Sequence, residues 1–245
     1  MDLFADGMEC LTSPSSPCKA GETTFDLASE FPCTAGGTTF DLASEVKEST
    51  TKPLGKPLLY NVHSTLQTIP NEYVKTLAKA QAIPLALLLF NLDGNMNVGM
   101  ILRTAVVFGC STVYLVGKKR YDPRSTVGAK NYVTIHHIPS IDDPTTFFAS
   151  HWLQPILLEQ GGAPIESFSF AAQIKEATTK LPCIVLGCES TGIPKSWIDA
   201  KLGPIISISQ MGVLRSLNVS IAASIILYEY IKQWRSATAA KLHLM

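Results

Sequence analysis

Apolar residues along this chain follow two rhythms. Short, nearly unbroken apolar runs, "LALLLFNL" (85–92), "TVYLVG" (112–117), "PILLEQ" (155–160), "PCIVLG" (182–187) and "PIISIS" (204–209), have the length and apolar continuity of buried strands. Between them the apolar positions recur at helical spacing. "NVGMILRTAVVFG" (97–109) predicts a helix closed by Gly109, "SFAAQIKEAT" (169–178) a helix, Pro194 the start of a short one, and Ser216 to about Trp234 a long final helix. "YVTIHHI" (132–138) predicts a short strand and "PTTFFASHWL" (144–153) a helical turn or two. Upstream, "NEYVKTLAKAQAI" predicts a short helix capped by Asn71. Apolar strands alternating with helices predict an α/β fold, a parallel sheet flanked by helices on both faces. In such sheets ligands bind beyond the carboxyl ends of the strands, which directs attention to the loops after residues 92, 187 and 208.

The first loop and helix read "NLDGNMNVGMILRTA". Gly94 and Gly99 have the spacing of a phosphate-binding loop, but Met100 stands where its lysine belongs, so a nucleoside triphosphate is excluded. Asn97 at a helix start and Arg103 in an apolar helix remain. A guanidinium there needs an anion, or a structural ion pair to an acid such as Asp93 or Glu189. The second loop, "IVLGCESTGIP", again lacks the lysine, and Cys188 displaces the glycine that a nucleophile elbow around Ser190 would need. Gly187 permits close backbone approach to a ligand, and Glu189 can accept hydrogen bonds from a neighbouring loop. In the third, "ISISQMGVLRSLNVS", Ser216 reads as a helix N-cap. No G-x-G-x-x-G follows a strand, which excludes a dinucleotide oxidoreductase of the usual kind.

Together and in this order, "NVGMILRTA", "LGCESTGIP" and "ISISQMGVLRSLNVSIAASIILYE" resemble the three motifs of the SpoU/TrmH family of SPOUT-class RNA 2′-O-ribose methyltransferases, over residues 85 to about 234. The resemblance implies a C-terminal deep trefoil knot, S-adenosylmethionine as cofactor, RNA as substrate and a homodimer that completes the catalytic centre. It also implies roles. Arg103 matches the catalytic arginine, with Asn97, Glu189, Ser216 and Asn218 as the polar residues that build the site. Leu186, Gly187, Ile208, Met211, Ser216, Leu217 and Asn218 would cradle the cofactor, with Glu159 and Gln160 beside it. The family often has proline at the position of Ser209 and a small residue or asparagine at that of Cys188. "GVLRSLNV" looks like the tRNA-modifying relatives, so tRNA is the expected substrate and rRNA the alternative. A silent RNA-binding knot is the third reading, and intact Asn97, Arg103, Glu189 and Asn218 speak against it.

Charge and composition refine this picture. The chain has 245 residues, 46 % hydrophobic and 16 % charged, and no net charge. Yet its first fifty residues hold nine acids and two bases, leaving 18 bases against 11 acids for the rest. A mildly basic domain suits a polyanionic partner. "GKKRYDPRSTVGAKNY" concentrates Lys118, Lys119, Arg120, Arg124 and Lys130, interleaved with Tyr121 and Tyr132, as an RNA-contacting loop expected to neutralise phosphates and stack bases. The acidic segment contains a tandem repeat, "PCKAGETTFDLASEF" (17–31) and "PCTAGGTTFDLASEV" (32–46), too polar to bury a core. The expected organisation is a disordered tail at 1–56, a linker with a short helix at 57–84, the catalytic domain at 85–235 and a C-terminal tail at 236–245. Residues 51–84 are too few for the separate RNA-binding domain that several relatives carry, so RNA falls to the catalytic domain, its dimer mate or the tail.

The six cysteines form no C-x-x-C pair, and His136 and His137 lack companions at ligand spacing, so no metal is expected. No apolar run approaches the ~20 residues of a membrane span, and the acidic N-terminus suits neither a secretory nor a transit signal. The expectation is a soluble intracellular protein without a membrane partner, the cytoplasm placed ahead of the nucleus.

Overall fold

In the computed structural model, residues 61–90, 92–117 and 121–242 are described, so the repeat, the acidic segment and Lys118, Lys119 and Arg120 lie outside the described residues. Six strands are present: β1 (Ile83–Phe90), β2 (Cys110–Val116), β3 (Thr134–Ile138), β4 (Leu153–Pro164), β5 (Leu181–Leu186) and β6 (Ile205–Ser207). They form one sheet in the order β3-β2-β1-β5-β4-β6, and every pairing is parallel. The helices are α1 (Asn71–Ala80), α2 (Asn95–Val107), α3 (Pro144–Ser150), α4 (Ala171–Glu176), α5 (Lys195–Asp199) and α6 (Val219–Leu242).

Side chains alternate across a strand, and both faces of this sheet are covered. Leu85, Leu87 and Leu89 of β1 join Ile101, Leu102, Ala223, Ile226 and Tyr230 in a core under α2 and α6. Ala86 and Leu88 face the other way, towards Phe148 of α3 and Trp197 of α5. Cys110 and Cys183 are buried as neutral thiols, with burial pushing Cys110 up to about 12. Among the described residues, no helix is long and apolar enough to cross a membrane.

Several boundaries differ from the sequence pattern. The N-cap of α6 is Asn218, whose Oδ1 accepts the Ser220 N–H at 2.8 Å, and Ser216 stands two residues before the cap. The helix also runs past Trp234 to Leu242, because "RSATAAKL" contains neither glycine nor proline to stop it. Asn71 does not cap α1. It occupies the first helical turn after Pro70, and its side chain accepts the Tyr132 hydroxyl at 3.1 Å. Strand β4 continues beyond Gln160 through an irregularity at Gly161 and Gly162 before Ala163 and Pro164 rejoin β6. Gly109, at φ +74°, ends α2 as expected.

Candidate functional site

Three loops meet beyond the carboxyl ends of β1, β5 and β6, and a hydrogen-bonded chain of side chains ties them together. Glu189 sits within a tight loop closed by paired backbone bonds between Cys188 and Gly192, 3.1 and 2.7 Å. That closure needs glycine at 187, since a Cβ there would collide with the backbone of Gly192 and Ile193. From this loop the Glu189 carboxylate reaches back to the start of α2. It accepts the Asp93 N–H at 2.8 Å, the Gly94 N–H at 3.2 Å and the Asn97 side-chain amide at 2.6 Å.

The carboxylate fixes the direction of every bond that follows. It has no proton to give, so Asn97 turns its NH2 towards Glu189 and its oxygen away. That oxygen accepts the Asn218 amide at 3.2 Å. Asn218 keeps its own oxygen for the Ser220 N–H at 2.8 Å and the Ser220 hydroxyl at 2.6 Å, which begins α6. Partial burial pushes the Glu189 carboxyl upward, but the donors of Asp93, Asn97 and Gly94 outweigh it and hold the group below the usual glutamate range.

Arg103 stands outside this chain. It is exposed on α2, six residues and about 9 Å along the axis from Asn97. The structural ion pair to Asp93 or Glu189 does not form, and among the described residues the guanidinium has no hydrogen-bond partner. Asp93 instead accepts the Ser190 hydroxyl at 2.8 Å and the Cys188 thiol at 3.1 Å. The ligand atoms of Asp93, Cys188 and Glu189 lie within 4.8 Å of one another, but a cation there would have to displace these donors.

Just before the irregularity in β4, Glu159 and Gln160 link the other two loops. Glu159 Oε2 accepts the Ile193 N–H at 2.9 Å, while Gln160 Nε2 donates to the Arg215 carbonyl at 2.6 Å. Leu186 is buried and Ile208 packs at the core edge. Met211 and residues through Asn218 are exposed. From Ser209 to Leu217, among the described residues, no main-chain N–H has a backbone partner, and the only main-chain acceptor in use is the Arg215 carbonyl. Ser209 is tied through its hydroxyl to Glu166 at 3.0 Å. Ser216 and Leu217 extend into solvent with no side-chain hydrogen bond.

The structure therefore unites Asn97, Glu189 and Asn218, and leaves Arg103 and Ser216 apart. Sequence reading missed Ser220, although an asparagine two residues before a serine at a helix start is a capping signal. The basic loop is also altered. Arg124 is engaged by Asp122 through its Nε and Nη2, at 2.8 to 3.1 Å, whereas Lys130 is exposed without a partner among the described residues. Tyr121 packs partly on the core, and the Tyr132 hydroxyl is bonded to Asn71, so both rings are held in place by the protein.

A family model, the SpoU rRNA Methylase family, matches residues 84–228. Over 146 residues the chain is 27 % identical to the tRNA (guanosine(18)-2′-O)-methyltransferase of Escherichia coli K12, covering 58 % of this chain and 60 % of that protein. The chain thus spans about three-fifths of that relative's length. The AdoMet-bound rRNA methyltransferase from Sinorhizobium meliloti superposes with a TM-score of 0.50 at 25 % identity, covering 59 % of this chain and 54 % of the other. The A. aeolicus TrmH/SpoU tRNA modifying enzyme shares the fold at a TM-score of 0.56 and 22 % identity, covering 69 % and 84 %. With the three motif loops inside the matched span, the chain belongs to the SpoU rRNA Methylase family.

Proposed function

We propose that this protein is an S-adenosylmethionine-dependent RNA 2′-O-ribose methyltransferase acting on tRNA. The observation that carries the reading is the directed chain Glu189–Asn97–Asn218, which locks three motif loops together while leaving the Arg103 guanidinium without a hydrogen-bond partner among the described residues. The cofactor fits the residues present. The exposed stretch from Ser209 to Leu217 offers main-chain donors that no backbone group uses, and Leu186, Gly187 and Ile208 close the apolar end. Met211, Ser216, Leu217 and Asn218 complete the cradle, with Glu159 and Gln160 behind it.

When bound, the cofactor supplies an electrophilic methyl carbon on a sulfonium. The chain's part is alignment and charge. Arg103 binds the RNA phosphate and orients the ribose 2′-hydroxyl, and its permanent charge stabilises the oxygen as negative charge develops. Because guanidinium keeps its proton in proteins, Arg103 is not the base, and the hydroxyl proton passes to solvent or a neighbouring acceptor. Glu189 acts through Asn97, holding the start of the Arg103 helix in place. Lys130 and Arg124, with Lys118, Lys119 and Arg120, bind phosphates.

The functional unit is a homodimer. Support comes from an exposed apolar face made by Met96, Met100 and Val107 of α2 with Ile221, Ile225 and Tyr228 of α6. Arg103 lies on the same stripe of α2 as those residues, so dimerisation brings it against the partner's site. The knot is supported by the strand order, in which β6 lies beyond β4 while α6 returns to pack on α2.

The test is methyl transfer from labelled S-adenosylmethionine to separate tRNA and rRNA pools, followed by digestion to nucleosides. Label in a 2′-O-methyl nucleoside from tRNA, lost in Arg103→Ala, is the expected result. Label confined to rRNA would move the substrate, and cofactor binding without any transfer would leave a silent binding protein.

A further inference from the structure

At the opposite end of the sheet from the motif loops, α1 and the amino ends of β2 and β3 enclose a polar groove of about 210 Å³. Its polar lining is Lys75 and Lys79 from α1, Ser111 and Thr112 from β2, and Asn131 and Thr134 from the approach to β3 and its first residue. Among the described residues, no acidic side chain lines it. The lysines stand four residues apart, so they project from one face of α1 into the same groove. Lys75 pairs at its outer edge with exposed Glu72 at 3.0 Å, while Lys79 has no partner among the described residues.

The groove has a defined position relative to the proposed chemistry. The β2–β3 connection leaves the sheet at Gly117, on the end that carries the motif loops, and enters β3 at Thr134, on the groove's end. It therefore descends the molecule by the length of β2, about 23 Å for seven residues. Along that descent it carries Arg124 and then Lys130, and the next residue, Asn131, lines the groove. The bond from Tyr132 to Asn71 fastens α1 to this connection, so Lys75, Lys79 and Lys130 belong to one surface.

We infer that this groove binds the phosphodiester backbone of the substrate RNA away from the methylated nucleotide, the far end of a cationic track running from the motif loops down the β2–β3 connection. The inference rests on the RNA methyltransferase reading above. Two ammonium groups beside hydroxyl and amide donors, with the Glu72 carboxylate at the outer edge, suit phosphate oxygens. The open shape and the engaged Tyr132 ring offer no pocket for a base, so recognition here is of backbone and carries no sequence preference.

The test compares the full-length chain with Lys75→Gln/Lys79→Gln, using bulk tRNA and rRNA pools as probes across a salt series. Each lost phosphate contact removes roughly 0.7 to 0.9 from the slope of log affinity against log salt, so the double variant is expected to lose about 1.4 to 1.8. Its affinity at 0.1 M salt is then weaker by about 30-fold. Methyl transfer should show KM raised by a similar factor with kcat unchanged. Lys79→Gln alone, which spares the Lys75–Glu72 pair, should remove half the slope change, and Lys75→Arg/Lys79→Arg should restore it. Lys195→Gln/Lys201→Gln, equal in charge and remote from the groove, should leave binding as it was. An unchanged slope in the double variant, or an equal loss in the control, overturns the groove while leaving the methyltransferase reading intact. A wild-type chain that binds neither pool overturns both.

Discussion

The Glu189 carboxylate accepts the Asn97 amide at 2.6 Å across 92 positions of sequence, and through this contact the loop after β5 sets the geometry at the start of α2. Glu189 also holds the Asp93 and Gly94 N–H groups, so one side chain closes the turn that launches the helix carrying Arg103.

Glu189→Gln keeps the shape but turns an NH2 group towards donors that need an acceptor. A partly exposed carboxylate is screened by water, so the expected destabilisation is about 1 kcal/mol, read by denaturant unfolding at pH 7. The pH dependence carries a second signature. The folded carboxyl lies below its ordinary 4.5, so its contribution is present above that value and is lost as pH falls through the lower folded value. The difference between wild type and variant should shrink below about pH 4.5. A difference that persists unchanged into acid would show that the charge of Glu189 is not what holds the loop.

Arg103 behaves differently because it holds no other side chain among the described residues. Arg103→Ala should leave unfolding free energy within about 0.5 kcal/mol of wild type. Methyl transfer under single-turnover conditions should fall by about 100-fold or more, as for loss of a group that stabilises developing charge. Lysine should recover only part, since it lacks the planar fork that can hold phosphate and hydroxyl together. Full activity in the lysine variant would reduce the role of Arg103 to that of a simple point charge.

Glu159 marks a site where side-chain and backbone needs coincide. Its Oε2 accepts the Ile193 N–H, and Gly192, at φ +70°, lies so close that a Cβ would collide with the same oxygen. Glu159→Gln is expected to weaken S-adenosylmethionine binding by about tenfold in calorimetry, the size of one charge-assisted hydrogen bond. Because the bond lost is internal to the fold, the thermal midpoint of the chain should fall as well. Unchanged cofactor affinity would assign Glu159 to strand packing alone.

Tyr230 offers a contrast from the core. Its side chain is fully buried, and among the described residues its hydroxyl has no hydrogen-bond partner. Burial and, secondarily, the neighbouring Cys110 raise its pKa, so the group stays neutral without being satisfied. Tyr230→Phe removes a buried polar atom and keeps the ring stacked edge-on against Phe170. The expected gain is about 1 kcal/mol by denaturant unfolding, and a loss of that size would reveal a bound water serving the hydroxyl.

These contrasts also show what the sequence could disclose. Strand β1 was legible because a strand buried on both faces is apolar at every position, as Leu85 to Leu89 are. The convergence of Asn97, Glu189 and Asn218 was legible only as motifs, since no local pattern records a contact across 92 residues. The cap was misread because Ser216 and Asn218 are both capping residues, and the choice between them is made by Asn97, which fixes the Asn218 amide. The anchoring of the basic loop's tyrosines was hidden for a related reason. An aromatic beside lysines looks available for stacking until α1 and the core engage it from elsewhere in the chain.

The exposed face of α2 and α6 gives the last prediction its force. Val107 and Tyr228 remain 72 % and 60 % exposed, Ile221 and Ile225 lie beside them, and Thr104 and Ser224 hold the two helices together at 3.3 Å. Contiguous apolar surface of this kind marks an interface in a soluble protein. Light scattering of the intact chain should give twice the 26.5 kDa mass, and Ile225→Glu, which leaves a charge unpaired at the centre, should give one chain. If Arg103 works against the partner's cofactor site, the monomeric variant must also lose methyl transfer while still binding S-adenosylmethionine. A monomeric Ile225→Glu that remains fully active would show that each chain holds a whole site and that the apolar face serves another purpose.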